Sequence, residues 1–182
     1  MLSGDEQRTA SEAICRGIEQ HRAWQEAKLV CAFLPLSSEP RITPLWEQNR
    51  CPEFCFPRVR DAGLELIRID DRAQLASADW KLTRPEFAAA PLVALDAVDL
   101  FLVPGLAFTH DGRRLGRGGG WYDRLLSRRV PLSTALGVCF AIQLMDTLPI
   151  EVHDQHVDAV ITERGIEEKP NHQTPKPPSL HT

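Results

Sequence analysis

The sequence predicts an α/β layered fold built on a mainly parallel sheet, and three observations predict it. Short runs that are apolar almost throughout suit strands buried on both faces: "LVCAFL" (Leu29–Leu34), "AVDLFLVPG" (Ala97–Gly105) and "ALGVCFA" (Ala135–Ala141). Stretches with apolar residues at helical spacing lie between such runs. Strand and helix signals therefore alternate along the chain, the pattern of a parallel sheet covered by helices.

Taken in order, the first element is a helix from Asp5 to about Trp24, because Ala10, Ala13, Ile14, Gly17 and Ile18 recur at helical spacing, with Ser3 or Ser11 as its cap. The Leu29–Leu34 strand follows. "SSEPRITPLWEQNR" (Ser37–Arg50) reads as a loop opening a helix, "EFCFP" (Glu53–Pro57) as a second strand and "LELIRI" (Leu64–Ile69) as an alternating third. Asp70–Leu95, with Trp80 and two prolines, reads as loops with a helical turn. The strongest strand, Ala97–Gly105, ends in a Pro-Gly break. "WYDRLLSRR" (Trp121–Arg129) is an amphipathic helix, Ala135–Ala141 a buried strand, "IQLMDTLP" (Ile142–Pro149) a short helix and "VDAVITE" (Val157–Glu163) the last strand. Residues 1–164 make one domain, and the polar, proline-rich 165–182 a disordered tail.

A length of 182 residues with 43% hydrophobic residues allows one domain with a real core, and a formal net charge of -4 implies no large basic surface for nucleic acid. The N-terminus has no long apolar run, so neither a signal peptide nor a membrane span is read there. Cys51 and Cys55 lack a second pair or a neighbouring histidine, which favours reduced cytoplasmic thiols over zinc.

Four of the 11 glycines fall within "LGRGGGWYDRLL", Leu115–Leu126. Between a buried strand and a helix, such glycines turn successive backbone N–H groups toward one point, a cradle suited to phosphate. Arg114 and Arg117 offer guanidinium forks to phosphate oxygens, and Asp123 is a carboxylate suited to Mg²⁺ beside them. The stretch matches neither the Walker loop nor the full dinucleotide fingerprint, since Trp121 stands where the latter needs a small residue. A tight loop packing a helix on a strand is the competing reading. Downstream, Glu151, His153, Asp154, His156 and Asp158 crowd "LPIEVHDQHVD" (Leu148–Asp158), either as a metal or acid–base cluster or as a solvated polar loop.

The blocks "DLFLVPGLAFTHDGRRLGRGGGWYDRLL" (Asp99–Leu126) and "LPIEVHDQHVDAVITE" (Leu148–Glu163) resemble, in residues and in order, the 5-formyltetrahydrofolate cyclo-ligase family, also called 5,10-methenyltetrahydrofolate synthetase. "FLPLSSEPRITPL" (Phe33–Leu45), with Glu39 and Thr43, and "FCFPRV" (Phe54–Val59) extend the resemblance, which spans roughly Ser3 to Glu163. It implies a three-layer Rossmann-like sandwich of the sugar-phosphate isomerase/CoA-transferase-like type. It implies ATP- and Mg²⁺-dependent closure of 5-formyltetrahydrofolate to 5,10-methenyltetrahydrofolate by a cytoplasmic monomer that takes up small molecules, not nucleic acid or membrane.

Residue by residue, the resemblance makes Arg114, Leu115, Gly116, Arg117, Gly118, Gly119, Gly120 and Trp121 the ATP phosphate loop. Asp123 and Asp154 become the Mg²⁺ carboxylates, and Leu34, Glu39, Trp121 and Tyr122 the folate contacts, with Arg117 and Tyr122 catalytic. Trp80 is either an aromatic wall of the pocket or an ordinary core tryptophan. Family members begin with a cation-bearing helix that reaches ATP; Arg8, the nearest candidate here, aligns with the following helix. The alternative this raises is a non-catalytic nucleotide or folate binder of the same descent. A sugar-phosphate enzyme of a related layered fold is a third reading, which requires a catalytic lysine or glutamate at the loop and no ATP.

Overall fold

The computed structural model describes residues 2–48, 52–60, 63–71, 74, 75, 81, 87–149, 151 and 154–168. Helix α1 spans Gly4–Gln20. Ser3 caps it in a reciprocal box: its Oγ accepts the Glu6 N–H, and the Glu6 carboxylate accepts the Ser3 N–H at 2.7 Å. Ser11, the other candidate cap, lies inside the helix and donates to the Gln7 carbonyl at 2.7 Å. Ala10, Ile14, Cys15 and Ile18 form the buried stripe. The single helix expected to run to Trp24 breaks at His21, whose extended backbone (ψ 138°) ends α1 and whose Nδ1 accepts the Ala23 N–H at the start of α2, Arg22–Glu26. A side chain that caps the next turn competes with continuing the first helix.

The strands are β1 Leu29–Cys31, β2 Glu53–Arg60, β3 Gly63–Arg68, β4 Leu92–Val93, β5 Leu100–Pro104, β6 Ala107–Thr109, β7 Arg114–Leu115, β8 Thr134–Val138, β9 Leu144–Met145, β10 Ala159–Thr162 and β11 Gly165–Glu168; α3 is Pro44–Gln48 and α4 Trp121–Leu126. The main sheet has the order β11-β10-β8-β5-β1-β2-β3-β4. Its five central strands, β10 to β2, are mutually parallel, and the outer pairs are antiparallel. Alternate residues face two cores, as the strand period demands. Phe54, Phe56, Leu100, Leu102 and Ile161 pack with α1 and with Leu45 and Trp46 of α3. Phe101, Val103 and Val160 pack with Phe108, Leu125 and Leu126 on the other face. A small sheet, β7-β6-β9, joins α4 on that second face, which completes three layers.

Two aspartates set strand starts. Asp99 Oδ2 accepts the N–H groups of Lys28 and Leu29 at 2.8 and 3.0 Å, tying β1 to β5. Asp158 Oδ2 accepts the Ala135 N–H at 2.8 Å and forms a forked pair with Arg129.

Four further sequence expectations need correction. The Ala97–Gly105 strand begins only at Leu100, because Leu95–Ala97 close a 3-10 turn. Ile142–Pro149 holds no helix: Ala141–Gln143 is a 3-10 turn, and Leu144–Met145 pairs in parallel with β6. The helix from Trp121 stops at Leu126 instead of Arg129, whose side chain is drawn to Asp158. Gly165–Glu168, expected to open the tail, is paired with β10; edge pairing uses backbone groups and leaves a polar sequence no apolar signature. Among the described residues no helix is long and apolar enough to cross a membrane.

The ring of Phe108 in β6 reaches the main sheet only because Gly105 and Gly137 have no side chain. A Cβ at Gly137 would lie 2.5 Å from Phe108 Cε1, and one at Gly105 2.7 Å from Cε2. Gly137→Ala is therefore expected to lower stability by about 1–3 kcal/mol through overpacking, read as a fall in the urea midpoint at unchanged m-value.

Candidate active site

In an open parallel sheet the ligand crevice lies beyond the carboxyl ends of the strands where the chain turns to opposite sides. Here the chain leaves β1 toward β2 on one side, and β5 flanks β1 on the other. A cavity of about 440 Å³ opens at that point. Phe33, Leu34, Leu36 and Glu39, which follow β1, form one wall. Pro104 and Gly105 at the end of β5, Pro57 and Leu64 of β2 and β3, the 114–124 segment, and Pro149, Glu151 and Asp154 line the rest. All the site residues expected from the sequence line this one cavity: Leu34, Glu39, Arg114 through Asp123 without a gap, and Asp154.

The glycine loop runs from β7 into α4 and is tied at both ends. Arg114 Nη2 pairs with Asp123 Oδ1 at 2.8 Å, with side chains only 4% and 12% exposed. Asp123 Oδ1 also accepts the Gln155 N–H at 3.2 Å, which docks the segment carrying Asp154 onto the start of α4. Between the ties, Gly118 (φ 82°) and Gly120 (φ 60°) adopt the left-handed conformation that favours glycine. The indole of Trp121 folds back onto Gly119, where any Cβ would run into its Nε1. Because α4 has only six residues, its macrodipole adds little at the loop.

The roles of the side chains separate by burial. Arg114 is a buried counter-ion, with its guanidinium carbon 5.7 Å from the Tyr122 ring centroid. Arg117 is half-exposed and reaches across the cavity to Ser38 Oγ at 3.1 Å and Glu39 Oε1 at 3.2 Å. Glu39 is nearly buried, and its Oε2 accepts the Leu36 N–H at 2.9 Å. Tyr122 packs on both cores. Desolvation, followed by the nearby Cys31 and Glu39, pushes its phenol well above the ordinary value near 10, so it stays protonated at neutral pH.

Mg²⁺ commonly takes one or two carboxylates, with phosphate oxygens and water completing its shell. Asp123 and Asp154 fit that habit. Each has one oxygen engaged, Asp123 by Arg114 and Gln155 and Asp154 by the Glu151 N–H at 2.8 Å, and among the described residues the other oxygen of each accepts no hydrogen bond. Among the described residues no group of three or more His, Cys, Asp or Glu forms a cage of its own, so the ion would depend on the ligand's phosphates.

The rest of the acidic and histidine cluster divides. Asp158 is turned to Arg129, and His156 is exposed and lines no part of the cavity. His153, Trp80 and Cys51 lie outside the described residues. Cys55 is buried opposite Cys31, whose thiol is raised well above its ordinary value by hydrogen bonding to Cys55 and by burial. Arg8 pairs with Asp5 on the exposed face of α1, and the Thr43 hydroxyl accepts from Arg41 Nε at 3.2 Å; neither lines the cavity. Sequence reasoning also misses apolar lining residues such as Phe33, Leu36 and Pro104, and two polar residues that touch the glycine loop, Arg124 and Ser38. Arg124 stacks 5.0 Å from the Trp121 ring and donates to the Gly119 carbonyl at 3.0 Å. Its signal is the i, i+3 spacing from Trp121 on one helix face. Ser38 has no such signal.

The sequence model of the 5-formyltetrahydrofolate cyclo-ligase family matches residues 1–163. The chain is 30% identical over 180 residues to the 5-formyltetrahydrofolate cyclo-ligase of Mus musculus, an alignment covering 89% of this chain and 86% of that protein. It is 41% identical over 183 residues to the mitochondrial 5-formyltetrahydrofolate cyclo-ligase of Arabidopsis thaliana, covering 85% of this chain and 66% of the other. The solved structure of Aquifex aeolicus 5,10-methenyltetrahydrofolate synthetase superposes with a TM-score of 0.81 at 28% identity, covering 100% of this chain and 92% of that one.

Arg114→Ala leaves Asp123 buried without its counter-ion, and the expected loss of stability is about 3–5 kcal/mol. Adding Asp123→Asn should recover part of it, so urea unfolding of the two single variants and the double variant should show strong non-additivity.

Proposed function

The chain belongs to the 5-formyltetrahydrofolate cyclo-ligase family, and we propose that the cavity between β1 and β5 is where it does that family's work. The activity is ATP-dependent ring closure: 5-formyltetrahydrofolate and ATP give 5,10-methenyltetrahydrofolate, ADP and phosphate. The relatives are named as enzymes, so the reading as a non-catalytic binder is not favoured.

A formamide oxygen is a poor leaving group. Passing the γ-phosphoryl group of ATP to it activates the formyl carbon; N10 of the folate attacks that carbon, and phosphate departs. Phosphoryl transfer depends mainly on position and on neutralised charge. In this reading the amides of Gly116–Gly120 and the guanidinium of Arg117 receive the phosphates. Arg114 acts one step back, through Asp123. Asp123 and Asp154 would hold Mg²⁺, which would supply neutralisation of phosphate charge. Glu39 accepts pterin N–H groups, Leu34 contributes the apolar floor, and Trp121 and Tyr122 supply ring faces. Tyr122, protonated at neutral pH, is a hydrogen-bond donor in the site.

One observation carries the reading: residues from segments far apart in sequence, 34–39, 114–123 and 154, surround a single cavity, and Arg117 of the glycine loop touches Glu39 across it. We further read the protein as a cytoplasmic monomer, and the free, buried thiols of Cys15, Cys31, Cys55 and Cys139 support a reducing compartment.

Methenyl product, followed by its near-ultraviolet absorbance, is expected only when ATP, Mg²⁺ and 5-formyltetrahydrofolate are all present. Binding of both substrates without turnover would restore the non-catalytic alternative. Arg117→Ala should raise the KM for ATP by about 10- to 100-fold, the value of one charge-assisted contact, with a much smaller change for folate; equal changes in both would remove Arg117 from the phosphate site. Asp154→Asn should raise the Mg²⁺ concentration needed for half-maximal rate, and an unchanged Mg²⁺ titration would remove Asp154 from the metal site.

A further inference from the structure

We infer that Ser38, together with Glu39, is a positioning residue that holds the Arg117 guanidinium at the junction of the two substrates, with its remaining donors turned to the phosphates. The inference rests on the reading of Arg117 as a phosphate ligand. Arg117 stands between Gly116 and Gly118, so its own backbone restrains it little. Its side chain is 46% exposed. Left to itself, such an arginine samples many rotamers, and a phosphate would have to order it on binding. In the structure one nitrogen does the anchoring: Nη2 donates to Ser38 Oγ at 3.1 Å and to Glu39 Oε1 at 3.2 Å.

A guanidinium has five N–H donors. Nη2 carries two of them, and both are spent on the β1–α3 loop. The Nε hydrogen and the two on Nη1 have no partner among the described residues. The anchor therefore does not compete with phosphate for the same hydrogens. It fixes the plane of the fork and leaves three donors for phosphoryl oxygens.

Glu39 is a firm base for this anchor. Its side chain is 6% exposed, and its other oxygen is held by the Leu36 N–H at 2.9 Å. Ser38 is the more informative residue. It is exposed, it lines no part of the cavity, and among the described residues its hydroxyl bonds to no site group other than Arg117. Its effect on ATP must therefore pass through the arginine.

The test is titration calorimetry of the full chain with Mg·ATP alone and with 5-formyltetrahydrofolate alone, for the wild type, Ser38→Ala, Ser38→Thr, Arg117→Ala and the Ser38→Ala/Arg117→Ala double variant. Because Ser38 is exposed, the thermal midpoint of Ser38→Ala should match the wild type. Ser38→Ala is expected to weaken Mg·ATP about three- to tenfold, to leave the folate affinity within twofold, and to regain ATP affinity as Ser38→Thr. In the Arg117→Ala background it should have no further effect. Unchanged or tighter ATP binding by Ser38→Ala, a loss confined to folate, or an equal loss without Arg117 overturns the inference while the phosphate role of Arg117 stands. Arg117→Ala with unaltered ATP affinity overturns the phosphate assignment itself, and this inference with it.

Discussion

The Arg114–Asp123 ion pair closes the glycine loop. Two side chains almost removed from water meet at 2.8 Å, one from the last residues before the loop and one from the first turn after it. A buried carboxylate without that guanidinium would carry a large desolvation cost, so the two ends of the loop are held together by the penalty for parting them. Five residues, Gly116–Gly120, must then bridge the short distance between the ends, and only a glycine-rich stretch can take the left-handed turns required at Gly118 and Gly120. The same carboxylate oxygen receives the Gln155 N–H, so the tie that shapes the loop also brings Asp154 beside it.

The sheet decides where this loop points. β1 and β5 lie side by side at the centre, and their carboxyl ends deliver Leu34, Glu39, Pro104 and Gly105 to one crevice. The small β7-β6-β9 sheet hangs the loop over that crevice. It is seated by Phe108, whose ring fits against the bare backbone of Gly105 and Gly137. Charge is arranged by depth. Arg114 is committed to a buried pair, Arg117 is half-exposed and pairs with Glu39, and Arg124 contacts the indole and the Gly119 carbonyl. Tyr122, half-buried and packed against both cores, stays neutral.

The central strands were legible because burial on both faces leaves continuous apolar runs, and β5 shows this most clearly with Leu100–Val103 all buried. Elements stabilised by other means were not. The β9 pairing depends on β6 as a neighbour, and β11 on the exposed edge of β10, so their own residues carry no period. The break at His21 comes from a side-chain cap that competes with a helical pattern otherwise intact. In the site, Arg114, Arg117 and Asp123 could be picked out as candidate phosphate and metal groups by type and spacing, yet nothing in their spacing says that Arg114 is buried and Arg117 half-exposed. Ser38 is one of two adjacent serines in a loop, and only its distance to Arg117 distinguishes it.

Local chemistry therefore showed the layered fold class and marked the glycine stretch as a candidate site. Glycines that permit the turns, guanidinium and carboxylate groups around them, and apolar runs for a parallel sheet are properties of neighbouring residues, readable without coordinates. The tertiary structure alone decided which charges meet. The distance from Arg117 to Glu39, and the sharing of Asp123 between Arg114 and the Gln155 amide, depend on segments 78 and 32 residues apart being carried to the same place by the sheet. No local rule encodes that separation, because burial and pairing energies arise only when the chain closes on itself.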